Sequence, residues 1–257
     1  MTILNDILTE CSYTAANPFR FTYSRSGEMK NCEAAAYLSQ LDRNQVYLLV
    51  CVDPLELPEL LSGNFMANLA KTFRKQPYHE SPMDRNTSLL LICRYSAEAV
   101  PDHDAKVRLE DDPYYFKKYV FSFTAEQETA SLNYLEGQKA SCGDDISLCR
   151  AIQNCLLDPA MFNCYKQDTT TEPAYAFFAE LSAKLVILPV QPRSSGNIRS
   201  VQERWDAGIT DIPGEDVKAM ELITRRILET KKNVKQPEWN LDEILSIWNN
   251  RGKRRES

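Results

Sequence analysis

Two apolar runs, VYLLVCV at 46–52 and SLLLICRY at 88–95 with its unbroken centre LLLIC, constrain this chain most. A strand with one face in water alternates apolar with polar residues, whereas a run without polar breaks has no face to give to solvent and is covered on both sides. Between the runs, Leu57, Leu60, Leu61, Phe65, Leu69 and Phe73 recur at three- and four-residue spacing, the stripe of a helix laid on a sheet. Asp53 caps that helix, Pro54 fits its first turn, and Gly63 weakens its middle. Strand, helix, strand in this order predicts a right-handed crossover joining two parallel neighbours.

The flanks extend the pattern. Residues 1–12 place Ile3, Leu4, Ile7 and Leu8 on one side of a short docking helix, and FRFTYSR at 19–25 alternates as a strand with one buried face. A short strand is expected at 106–109, ended or held at an edge by Pro113. Residues 114–123 continue as a helical turn or a second strand, with Tyr119, Phe121 and Phe123 favouring strand at the end. Helices are expected over 125–135 and over 144–157, the latter capped by Asp144 or Asp145, stopped by Pro159, and turned inward at Ile146, Cys149, Ile152 and Leu156. A further helix after Pro173 carries Tyr175, Phe178, Leu181 and Leu185, and 185–189 reads as strand-like or buried.

The fold expected is mixed α/β (α+β) over residues 1–190, a small, mostly apolar sheet covered by helices. A Pro-, Ser- and Gly-rich linker comes next at 191–213, then a C-terminal helical extension over 214–250 and a basic, disordered tail at 251–257.

With 8 glycines in 257 residues and no Walker sequence, phosphate-cradling loops are not expected. A formal charge of −6 argues against neutralising a nucleic-acid backbone as the main task. No window approaches the ~18 apolar residues that span a bilayer, so no membrane contact and a cytoplasmic location are expected. The eight cysteines form no C-x-x-C pair and read as reduced thiols, several of them, such as Cys51 and Cys93, inside apolar runs. Cys142, Cys149, Cys155 and Cys164 fit no usual zinc spacing, and His79 and His103 both sit in polar loops, so neither metal nor cofactor is expected.

Residues 107–127 concentrate chemistry: Glu110, Asp111 and Asp112, then Pro113, then six aromatics around Lys117 and Lys118. Aromatic side chains carry large contact area at low entropy, which suits a core seam or an interface equally. As an interface, the residues concerned are Asp112, Tyr114, Tyr115, Phe116, Lys117, Lys118 and Tyr119. The acidic trio could instead serve a metal-dependent nuclease, but neighbouring carboxylates in a strand point to opposite faces, and a solvated acidic turn is the plainer account. The Glu-x-Lys triplets Glu28-Met29-Lys30 and Glu229-Thr230-Lys231 are of a kind that arises by chance in any charged chain. Arg193, Arg199, Arg225, Arg226, Lys231 and Lys232 gather in the last quarter and suit contact with DNA phosphates or an acidic partner surface, the alternative being a solvated helix face.

Taken together, VYLLVCVD (46–53), NTSLLLICR (86–94) and LEDDPYYFKKYVFSFTAEQ (109–127) resemble the middle component of bacterial ABC three-component systems, including the accessory subunit of Lamassu-type defence systems. The likeness is strongest from Asp112 to Val120 and spans roughly 40–190. What it implies is a non-catalytic partner of an SMC-like ATPase and of a separate effector subunit, often a nuclease. In that role the chain bridges the two and controls effector activation; indirect or weak DNA contact is a separate expectation that rests on the basic residues of the last quarter.

Overall fold

The structure is a computed structural model that describes residues 2–142 and 146–188. The order of elements is α1 (Thr2–Glu10), β1 (Tyr13–Ala15), β2 (Phe19–Arg25), β3 (Glu28–Ser39), β4 (Val46–Cys51), a 3-10 turn (Pro54–Glu56), α2 (Leu57–Ser62), α3 (Phe65–Phe73), α4 (Met83–Asn86), β5 (Thr87–Tyr95), α5 (His103–Asp111), β6 (Lys117–Thr124), α6 (Ala125–Cys142), α7 (Leu148–Leu156), α8 (Pro159–Gln167) and α9 (Pro173–Lys184). The fold is mixed α/β. The expected linker, C-terminal helices and tail lie outside the described residues.

The six strands form one sheet in the order β1-β3-β4-β5-β6, with β2 also paired to β3. The two apolar runs lie side by side as parallel β4 and β5, and β6 adds parallel to β5. Because side chains alternate, each run feeds two cores. Tyr47, Leu49, Leu90, Ile92, Phe121 and Phe123 face a layer built by α1, α6, α7 and α9. Val46, Leu48, Val50, Leu89, Leu91, Cys93 and Val120 face α2, α3 and α5. Both crossovers, β4 to β5 and β5 to β6, lie on this second face, as two connections of the same hand must when the sheet grows in one direction.

The antiparallel half rests on a hairpin. Ser26 (φ 48) and Gly27 (φ 88) both take left-handed backbone between Arg25 and Glu28, which suits a two-residue turn joining twisted strands. The outer edge of β2 is met by α3 and the residue that caps it: Asn64 Oδ1 accepts from Ser24 N at 2.8 Å, and Asn68 of α3 donates to Thr22 O at 2.9 Å. Edge groups held this way do not recruit further strands.

Several expectations are corrected. Residues 106–109 are helical: Asp102 Oδ1 accepts from Ala105 N at 3.0 Å, and Ala105 and Leu109, one turn apart, are buried together. The stripe from Leu57 to Phe73 is two helices, because the chain turns extended at Gly63 (ψ −165). Ser147, not Asp144 or Asp145, caps α7, and Asp144 and Asp145 lie outside the described residues. Pro159 lies past the end of α7, as a stop should, and also opens α8 with Asp158 as its cap, since the amide donor it lacks is not needed in a first turn. Of the two readings of 185–189, the buried one holds for Leu185 and Leu188, while the described residues 185–188 form a turn and not a strand. Cys51 ends its strand exposed, while Cys93 is fully buried. Strands β1 and β3 and helix α8 add to the elements expected.

Candidate interface around Lys118

Helix α5 ends where its sequence meets Pro113. The residue before a proline is pushed to extended backbone, and Asp112 sits at φ −68, ψ 120 as the helix cap, its N–H donating to Arg108 O at 3.1 Å. The three carboxylates therefore leave a helix end and not a strand, and they diverge. Glu110 accepts from Val120 N on β6 at 2.9 Å and meets Lys184 of α9 at 2.7 Å, Asp112 turns to Lys118, and Asp111 is exposed. Among the described residues, no three His, Cys, Asp or Glu side chains are placed to hold a metal ion.

Lys118 organises the loop between α5 and β6. Two residues before Val120 on β6, it projects into the α5 side of the sheet, and its side chain has no exposure to solvent. A buried ammonium must be paired and hydrogen-bonded to be tolerated. Its Nζ meets Asp112 Oδ2 at 2.7 Å and donates toward the carbonyls of Asp112 (2.8 Å), Tyr114 (2.6 Å) and Phe116 (3.1 Å). Three donors against four oxygens leave none of the amine unsatisfied, and the loop is gripped along its length.

That grip bends the loop sharply. Phe116 N donates to Tyr114 O at 3.0 Å, closing a three-residue turn with Tyr115 at its centre and φ 67. A bulky residue with left-handed backbone in so tight a turn is rare and strained, at about 1–3 kcal/mol, and persists only where its surroundings over-determine it. The result sorts the aromatics. Phe116 is buried against Phe73, ring centroids 6.2 Å apart, whereas Tyr114 is 70% and Tyr115 47% exposed. Lys117 is exposed and Tyr119 half-buried. An open cleft of about 470 Å³ borders the loop, with Arg85, Asp111, Tyr115 and Lys117 among its walls.

The segment singled out in the sequence thus divides. Phe116 and Lys118 belong to the interior, Tyr114, Tyr115 and Lys117 face outward, and Asp112 and Tyr119 lie between. Arg85 enters from the neighbouring crossover, and no sequence pattern links it to this loop. Lys30, of the first Glu-x-Lys triplet, reaches Glu56 at 2.8 Å, and His79 contacts Asp84 at 3.0 Å beside Arg74. Arg193, Arg199, Arg225, Arg226, Lys231 and Lys232 lie outside the described residues, as does the second triplet.

The family comparison falls on this half of the molecule. Residues 45–140 match the family model for ABC-three component (ABC-3C) system Middle Component 1. This part of the chain is similar to that middle component. The Middle Component 1 match runs from just before β4 into the last turn of α6, so it takes in both parallel crossovers, Lys118 and the Tyr114–Tyr115 turn. No curated protein and no solved structure matches the chain. No helix among the described residues is long and apolar enough to cross a membrane.

Proposed function

We propose that this chain is a non-catalytic accessory subunit of an antiphage or antiplasmid defence complex of the Lamassu type. It bridges an SMC-like ATPase and an effector subunit, often a nuclease, and controls the effector's activation. The observation that carries this reading is the match of residues 45–140 to Middle Component 1. The Lys118 loop supports it physically: two exposed tyrosines on a turn already fixed in place lose little freedom on binding, as interface anchors require. The engagement of Glu110 and Asp112 by lysines supports a structural use of these carboxylates. Residence in the cytoplasm, and contact of Arg193, Arg199, Arg225, Arg226, Lys231 and Lys232 with DNA or an acidic partner, belong to the same proposal.

Co-expression with the ATPase and effector encoded beside it, followed by size-exclusion chromatography, tests the reading. Co-elution of the three chains is expected. A subunit that elutes alone in the presence of both contradicts it.

A further inference from the structure

The end of α1 meets the start of α7 through two sulfurs. Cys11 Sγ lies 3.7 Å from Cys149 Sγ, although 138 residues separate them in sequence. Both backbones are held from beneath: α1 by Ile3, Leu4, Ile7 and Leu8, and α7 by Ala151, Ile152 and Cys155, all buried in one core. Glu10 fixes the junction further, its two carboxylate oxygens accepting from Leu148 N at 2.7 Å and Cys149 N at 3.0 Å. The approach of the thiols is therefore set by the packing of two helices. Both cysteines are half-buried.

We propose that Cys11 and Cys149 are a reversible dithiol–disulfide pair, closed by a small hydroperoxide. The sulfurs need to approach by about 1.7 Å to reach the bonded distance of about 2.05 Å, a movement within the reach of side-chain rotation. Cys11 is the attacking thiol. The contact with the Cys149 sulfur outweighs burial and the charge of Glu10 and lowers the Cys11 thiol below its ordinary value, while Cys149 is shifted the other way. Elsewhere burial pushes Cys93 and Cys155 up to about 12 and leaves them inert.

The chemistry balances in two steps. The Cys11 sulfur attacks a peroxide oxygen, the O–O bond breaks, and the departing oxygen leaves as water or alcohol with a proton, giving a sulfenic acid on Cys11. The Cys149 sulfur then attacks the Cys11 sulfur, the S–O bond breaks, and the hydroxide leaves as water with the Cys149 proton. Two thiols are oxidised by two electrons and one hydroperoxide is reduced. A dithiol reductant reverses the bond by exchange. The bond ties α1 to α7 across a long loop, so the oxidised protein resists unfolding more than the reduced one.

The test uses the full chain, reduced and then treated with graded hydrogen peroxide. Peptide mapping without reductant is expected to find Cys11 joined to Cys149, with the melting temperature raised and both changes undone by dithiothreitol. In Cys149→Ser, Cys11 is expected to stop at a sulfenic acid that dimedone traps, with no rise in melting temperature. The mapping of the unsubstituted protein decides the matter even where that variant folds poorly. Cys11 and Cys149 both remaining free thiols at a dose that oxidises exposed Cys142, or either one joining a different cysteine, overturns the proposal.

Discussion

Lys118 Nζ lies 2.7 Å from Asp112 Oδ2 with its side chain wholly withdrawn from solvent, so one buried cation closes the connection between α5 and β6. Replacing it by Met removes the donor and strands a carboxylate and three carbonyls. Breaking a buried pair from one side costs about 3–5 kcal/mol, so Lys118→Met is expected to lose that much in urea unfolding. Asp112→Asn keeps the carbonyl contacts and is expected to lose about 1–2 kcal/mol. A Lys118→Met protein as stable as the parent contradicts the account of the loop.

Adjacent aromatics on this loop are expected to behave differently. Phe116 packs in the core beside Phe73, and its truncation to Ala is expected to cost about 3–5 kcal/mol. Tyr114, 70% exposed, is expected to change stability by no more than about 0.5 kcal/mol when truncated. Paired thermal melts of the two variants check this, and equal losses would place Tyr114 in the interior.

These two contrasts mark what the sequence makes legible. The doubly covered strands β4 and β5 follow from runs without polar breaks, because no other environment suits Leu89 to Ile92. Strand β3 does not, since Ala34, Ala35 and Ala36 carry a preference for helix that pairing with β2 and β4 overrides. Helix α5 carries a readable signal in Asp102 three residues before Ala105, but the alternation of Val107 and Leu109 reads equally as a strand. Lys118 offers no signal, because lysine is among the residues least often buried and its partners are largely backbone carbonyls, which leave no mark in a sequence. The left-handed backbone of Tyr115 is a consequence of that grip and is equally unmarked.

A second buried charge yields a pH dependence. Burial works to raise the Glu56 carboxyl, but hydrogen bonds from Lys30 and Tyr23 and the charges of Arg25 and Lys30 outweigh it and hold it below the usual carboxylate range. A carboxyl lowered by folding stabilises the protein above its unfolded value, near about 4.3, and that stability is lost as pH falls through the folded value. Glu56→Gln is expected to be less stable by about 1–3 kcal/mol at neutral pH, with the gap to the parent closing in acid. Denaturant midpoints across pH measure it, and a gap that stays constant below the usual carboxylate range contradicts the assignment.

In the proposed role, the Lys118 loop presents Tyr114 and Tyr115 to a partner subunit. The most direct measurement is the affinity of the purified chain for the ATPase and for the effector, with and without Tyr114→Ala and Tyr115→Ala together. A loss of about 2 kcal/mol or more, roughly thirtyfold in Kd, is expected toward at least one partner, with the melting temperature unchanged. Unchanged affinity for both partners would contradict it.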